Sequence, residues 1–205
     1  MSLTTQVTKI PDRLFLADLT ARFCEEAGII RDGFSFQAGS GGTALSIGIY
    51  FAEMLKAKGM KSRFARGGSN AYLVKMLEDG LVDYILDGQT FDLEGVRSMR
   101  ENPTHVDTSP FTSYNYHSKG NFAQLVDVVI LGATEVDVHF NANVVTHSDG
   151  VLLHGIGGWQ NCLFAKCTIL PIPLFRDRIP VIRGEVTTLC GPGELIDVIV
   201  TERGI

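Results

Sequence analysis

Apolar positions in the first hundred residues alternate between two spacings, and the switches fall at glycines. Leu14, Leu16, Ala17, Leu19, Ala21, Phe23 and Cys24 recur with helical spacing behind Pro11, which suits a helix start, and Gly28 supplies a stop. Ser35 and Gln37 between Phe34 and Phe36 predict a short strand, Gly39, Gly41 and Gly42 a turn, and Thr43 onward a helix to about Lys58. Ala44, Ile47, Phe51 and Leu55 give that helix its buried stripe, and Gly59 ends it. Residues 62–65 read as a strand running into a second glycine turn at Gly67 and Gly68, and Ser69 or Asn70 suits the cap of a helix carrying Leu73, Met76 and Leu77. Gly80, a strand over 81–86, a helix over 92–100 and the stop at Asn102-Pro103 complete the series. Strand, glycine turn and helix in this order predict an α/β fold: an open, mostly parallel sheet with flanking helices and glycine-rich strand–helix turns.

The second half has a different texture. Residues 104–120 are polar and aromatic, with Tyr114, Tyr116 and His117, and predict a long loop over a site. Residues 126–131 form a run that is apolar but for Asp127, as in a strand buried on both faces. A glycine cluster, Gly155-Ile-Gly-Gly158, follows, then β-rich segments at 168–174, 181–182, 186–189 and 196–201. This half is expected to be strand-rich. No repeat, low-complexity tract or linker interrupts the chain, so residues 1–205 are expected to form a single domain.

Composition narrows the function classes. The apolar share is 45%, the charged share 20% and the formal net charge −5, with no Lys/Arg block. That balance argues against nucleic acid or an anionic membrane as partner. No run of apolar residues is long enough to cross a bilayer, and the chain opens without a secretory signal pattern, so a cytoplasmic protein is expected. Cys24, Cys162, Cys167 and Cys190 show no Cys-x-x-Cys spacing and read as reduced, packed thiols.

Candidate chemistry centres on the glycines. The turn Gly39-Ser40-Gly41-Gly42 places bare N–H groups and a positive helix end at the carboxyl edge of a sheet, which suits an anion or a developing oxyanion; it also suits a plain tight turn. The histidines match no zinc template, so no metal is expected, and there is no phosphate-binding Walker loop. Ser40 lacks the surroundings of a nucleophile elbow. Glu135 and Asp137 after the apolar strand, and Glu202 after the last one, are candidate acids or, equally, solvated edge residues.

Phe36-Gln-Ala-Gly-Ser-Gly-Gly42, Gly132-Ala-Thr-Glu-Val-Asp137, Asn141-Ala-Asn143, Gly155-Ile-Gly-Gly158 and the 198–205 segment Val-Ile-Val-Thr-Glu-Arg-Gly-Ile stand in the order and spacing of the CoA-transferase superfamily. Within it, residues from about 33 to 205 resemble the second half of the citrate lyase α-chain family, supported by Ser-Lys-Gly at 118–120, Arg100-Glu-Asn-Pro103 and Ser148-Asp-Gly150. The first 31 residues would be a leader and helix, and residues 32–205 the matched region. The resemblance implies a CoA-transferase-like fold and transfer of an acyl-carrier thioester from acetate to citrate, with no covalently bound cofactor of its own. Acetyl-CoA, or the CoA-derived prosthetic group of the carrier, is then a substrate. Implied partners are the acyl-carrier γ chain, the citryl-cleaving β chain and an N-terminal CoA-transferase domain, in an oligomer.

By resemblance, Gly157 and Gly158 belong to the loop lying against the thioester, Asn143 is an active-site asparagine, Glu202 a second carboxylate near the site, and Gly39, Ser40, Gly41 and Gly42 the loop that opens the domain. Gly67, Gly68, Glu135 and Gly155 are expected in the substrate or CoA site. Related transferases place a nucleophilic glutamate in the strand after the first helix, where this chain carries Arg63. A guanidinium cannot be acylated, which implies direct transfer without a glutamyl thioester; Arg63 or Arg66 would be free to hold a citrate carboxylate. Trp159-Gln-Asn-Cys162 departs from the expected aspartate and small residues, so citramalate or another hydroxy acid is an alternative acceptor. The same glycine-loop architecture also serves sugar-phosphate isomerases and ligand-binding regulators.

Overall fold

The computed structural model describes residues 6–109, Thr112 and 122–205. A seven-stranded parallel sheet has the order β12-β8-β5-β1-β2-β3-β4, where β1 is Ser35–Ala38, β2 Phe64–Ser69, β3 Ile85–Thr90, β4 His105–Asp107, β5 Val128–Ile130, β8 Thr168–Pro171 and β12 Val198–Val200. The chain runs outward from β1 through β2, β3 and β4, then returns to β5 on the other side of β1 and runs outward again. Strand order therefore reverses between β1 and β5, and the loops leaving those two strands part to leave a crevice.

The helices α1 (Pro11–Glu26), α2 (Gly42–Lys58), α3 (Ala71–Glu78) and α4 (Leu93–Glu101) accompany this sheet. Pro11 starts α1 and Gly59 closes α2 in the left-handed conformation at φ 62°, as the sequence pattern requires. Asn70, rather than Ser69, caps α3 by accepting from the N–H groups of Tyr72 and Leu73, and Asp92 caps α4 through Gly95.

The alternation of strand side chains divides the core in two. Phe34, Phe36, Val128, Ile130 and Ile169 pack with Ile47, Phe51 and Leu55 of α2 and with Leu16 and Ala17 of α1. The rings of Phe34 and Phe36 stack at 5.6 Å, and Phe51 meets Phe36 edge-on at 5.6 Å. Val129, Leu131, Leu170 and Ile172 belong to the second cluster, with Val136, Ala142, Trp159 and Val181. Its outer layer is the strand-rich segment, including a three-stranded sheet of β6 (Glu135–Asp137), β7 (Ala142–Asn143) and β11 (Ile182–Arg183). Each face of the sheet is thus covered by a different kind of layer.

Several expected boundaries move. Gly67 and Gly68 lie inside β2 at a register shift against β3, not in a turn after it. The strand expected over 81–86 runs over Ile85–Thr90, because Val82 only bridges to Ser62 before the chain enters the sheet. Residues 186–189 form no strand: the Thr187 N–H is taken by the Glu135 side chain at 2.9 Å instead of a neighbouring backbone. The loop expected over 104–120 begins instead with the edge strand His105–Asp107, which pairs with β3; beyond residue 109 only Thr112 is described, so Tyr114, Tyr116, His117 and the 118–120 motif lie outside the described residues.

Candidate functional site

A cavity of about 580 Å³ opens at the carboxyl ends of the central strands, where the strand order reverses. Its wall includes residues 39–44 after β1, Gly67 and Gly68 of β2, Gln89 and Phe91, residues 131–134 after β5, and residues 153–159. The two glycine clusters, far apart in sequence, face each other across one space.

The first cluster owes its shape to what it touches. Gly39 donates its N–H to Ile130 O at 3.0 Å, which pins the turn to the end of β5. Gly41 takes the N-cap position of α2, and no side chain caps the helix. The first-turn N–H groups of a 17-residue helix therefore open toward the cavity with the positive end of its dipole. Gly42 is required by close approach: a Cβ there would come within 2.9 Å of Gln6 O, where the leader crosses the helix mouth and Thr8 donates its N–H to Gly42 O at 3.3 Å. That crossing brings the first turn of α1, with Arg13, to the cavity wall.

The second cluster is held by tryptophan. Trp159 Nε1 donates to Gly132 O at 2.9 Å, which ties the loop after Gly155 to the end of β5. Gly157 adopts φ 58°, a conformation that glycine takes without strain. Gly191 makes room for the indole, since a Cβ there would sit 2.5 Å from its ring. The expected aspartate after the loop is thus replaced by a residue that braces it.

Two cations line the cavity, and neither was among the expected site residues. Arg176 donates to Ala133 O at 3.1 Å, and Arg13 lies close enough to Arg176 and Glu202 to feel both. Burial, then the neighbouring Arg176, pull the Arg13 guanidinium below its ordinary value, and Glu202 partly restores it. Two like charges held together in a half-buried wall favour an anion between them. No aspartate or glutamate is among the described residues lining the cavity.

The sequence-derived candidates divide accordingly. Gly39, Ser40, Gly41, Gly42, Gly67, Gly68, Gly155, Gly157 and Gly158 come together around the cavity. Glu202 stands behind the arginines, with both carboxylate oxygens accepting from Leu174 N at 3.1 and 3.0 Å. Asn143 and Glu135 form a buried staple: Asn143 Nδ2 donates to Glu135 Oε2 at 2.9 Å, and Asn143 Oδ1 accepts from the N–H groups of Val145 and Thr146. Neither lines the cavity. Burial alone would raise the Glu135 carboxyl, but hydrogen bonds from Ser148, Asn143 and Thr187 outweigh it and hold it below the usual range. Asp137 closes the β6–β7 turn by accepting from the N–H groups of His139 and Asn141.

Arg63 lies at the opposite, amino-terminal edge of the sheet. Its side chain is half exposed, donates to Leu125 O at 3.3 Å and lies over the Phe64 ring at 5.2 Å. Arg66 is buried and also lies outside this cavity; it lines a separate one of about 300 Å³ between α2 and α3. Arg13, Arg176, Gln37 and Gln89 are among the polar wall residues that sequence reasoning missed. The missed signal was positional: Arg13 and Arg176 belong to segments with no local motif, and only the fold makes them neighbours.

Three comparisons bear on this arrangement. Residues 2–205 match the family model described as citrate lyase, alpha subunit. The citrate lyase alpha chains of Haemophilus influenzae and Escherichia coli are 39% and 37% identical over 202 residues, which is 98% of this chain and 40% of each relative. The chain therefore spans about two-fifths of the length of these relatives. It superposes with a TM-score of 0.93 and 37% identity on a crystal structure described as an alpha subunit of citrate lyase in complex with citrate, from Streptococcus mutans, covering 97% of this chain and 39% of that one. The alpha subunit of a malonate decarboxylase from Acinetobacter baumannii shares the fold at a TM-score of 0.73 and 16% identity, over 98% of this chain and 45% of that one.

Proposed function

Because the chain belongs to the citrate lyase alpha-subunit family, we propose that it forms the citrate-binding half of a transferase that moves an acyl-carrier thioester from acetate to citrate. The observation that carries this reading is the wall of the cavity: helix-end N–H groups and two arginines, with no carboxylate among its described lining residues. Arg13 and Arg176 hold carboxylates of the acid, each guanidinium offering a fork that matches the two oxygens. The α2 N-terminus stabilises the charge that builds on oxygen at the thioester carbonyl.

A wall with no carboxylate among its described residues fits direct transfer. A citrate carboxylate oxygen attacks the acetyl carbonyl, the C–S bond breaks, and the thiolate leaves with the electron pair. The thiolate then attacks the citryl carbonyl of the mixed anhydride and expels acetate, with no net proton change. The chain's own residues orient the acid and neutralise charge, and none need be acylated. The donor is the CoA-derived thioester of an acyl-carrier chain. A preceding CoA-transferase domain and a citryl-cleaving chain complete the system.

Calorimetric titration with citrate tests the reading. The wild-type chain binds citrate, and Arg13→Met and Arg176→Met each weaken binding about 10- to 100-fold, the worth of a hydrogen bond to a charged group. Unchanged affinity in both variants would remove the acid from this cavity.

A further inference from the structure

Gln37 sits on the face of β1 opposite Phe36, turned toward the strand-rich layer, at a position whose neighbours in the second core are apolar. It is 8% exposed and lines the cavity. Gly67, at φ 111°, allows the amide to lie against β2: a Cβ there would come within 3.1 Å of the Gln37 side chain. Gln37 Nε2 faces Cys162 Sγ at 2.7 Å, and the Cys162 thiol donates to Gly158 O at 3.0 Å. With its proton directed to that carbonyl, the sulfur can only accept from Gln37. The donor end of the amide therefore turns to sulfur and the acceptor end is left over. Gln37 Oε1 is buried and makes no hydrogen bond among the described residues.

A buried carbonyl oxygen without a donor is rare in folded proteins and calls for an explanation. The carboxylates of a polycarboxylic acid carry no proton at neutral pH and cannot supply one. They are served by the arginines and the glycine N–H groups. The donors that a ligand can offer Oε1 are a hydroxyl on the acid or an amide N–H on a carrier arm. A tethered thioester enters from solvent with its carbonyl leading and its amides trailing toward the mouth, whereas the free acid can occupy the floor where Gln37 lies.

We propose that Gln37 is a specificity residue whose Oε1 accepts a hydrogen bond from the hydroxyl of a hydroxy-substituted carboxylic acid, so that the site reads the hydroxyl as well as the carboxylates. This rests on the reading of the cavity as the site of the acid. It explains how a wall of general anion donors rejects carboxylic acids that lack a hydroxyl: such an acid leaves the buried acceptor unpaired.

The test is calorimetric titration of the whole chain with citrate and with tricarballylate, which has the same three carboxylates and no hydroxyl. The wild type binds citrate at least ~10-fold tighter. Gln37→Met, which keeps the length of the side chain, brings the two acids within about twofold by weakening citrate alone. Equal binding of both acids by the wild type overturns the assignment without any variant, and so does a Gln37→Met chain that keeps the wild-type ratio. Gln37→Met weakening CoA tenfold while leaving the ratio intact would assign the acceptor to a carrier-arm amide and overturn the hydroxyl assignment. Binding of neither acid would sink the reading of the cavity itself, and this proposal with it.

Discussion

Single buried carboxylates join distant parts of this chain. Asp127, 4% exposed, accepts from Ser35 N at 2.9 Å and Ser35 Oγ at 3.1 Å, while Arg31 and Lys166 approach its other oxygen at 3.0 and 2.8 Å. Burial alone would raise this carboxyl; the bonds from Lys166 and Ser35 outweigh it and leave it below its ordinary value. Arg31 and Lys166 are more than half exposed, so water screens their share and the Ser35 N–H matters most. Asp127→Ala is therefore expected to cost about 1–3 kcal/mol near neutral pH, read by urea denaturation. The folded carboxyl is depressed, so its stabilisation is fully present above the unfolded value near ~4 and is lost as pH falls through the folded one. The difference between wild type and Asp127→Ala should shrink steadily below about pH 4; a constant difference there would mean that the carboxylate is not what stabilises this join.

At the scale of elements, the wall of the cavity depends on a β-bulge. Asp87 is fully buried and accepts from Ser69 N at 3.2 Å, Gln89 N at 2.9 Å, the Ser69 hydroxyl and His105 Nε2, which gathers the ends of β2, β3 and β4 around the register shift at Gly67 and Gly68. The Phe91 ring presses against Gly68: a Cβ there would fall 1.8 Å from a ring carbon. Gly68→Ala should destabilise by about 1–3 kcal/mol through overpacking. Adding Phe91→Ala should then cost less than the two changes summed, as denaturant titrations of the cycle would register. Strict additivity would mean that ring and glycine do not press on each other. This bulge is also where the sequence misled. Gly67-Gly68 resembles a turn locally, and only pairing with β3 keeps the pair inside a strand. By contrast, β1, the glycine turn and α2 were legible throughout, because the stripe of Ala44, Ile47, Phe51 and Leu55 and the stop at Gly59 agree with the packing. Asn143 and Glu135 were each expected at the site, Asn143 by resemblance and Glu135 as a candidate acid; their bonds run to each other and to the backbone, which no sequence pattern reveals.

The whole molecule places its two glycine clusters and two of its arginines at one point. The parallel sheet reverses its strand order at β1 and β5, both glycine clusters open there, and α1 and the segment after β8 each deliver one arginine. A chain of net charge −5 thus holds a local positive cavity. It covers two-fifths of its citrate lyase relatives, so the transfer proposed for it would draw on the rest of such a polypeptide. The most direct measurement is mass-resolved transfer: acetyl-CoA as surrogate donor and citrate, mixed with this chain alone and with its N-terminal counterpart, followed for citryl-CoA and acetate. The account predicts both products in equal amounts when the two halves are combined, and their loss when Arg13 and Arg176 are both replaced by methionine. Undiminished product from the doubly substituted chain would contradict it.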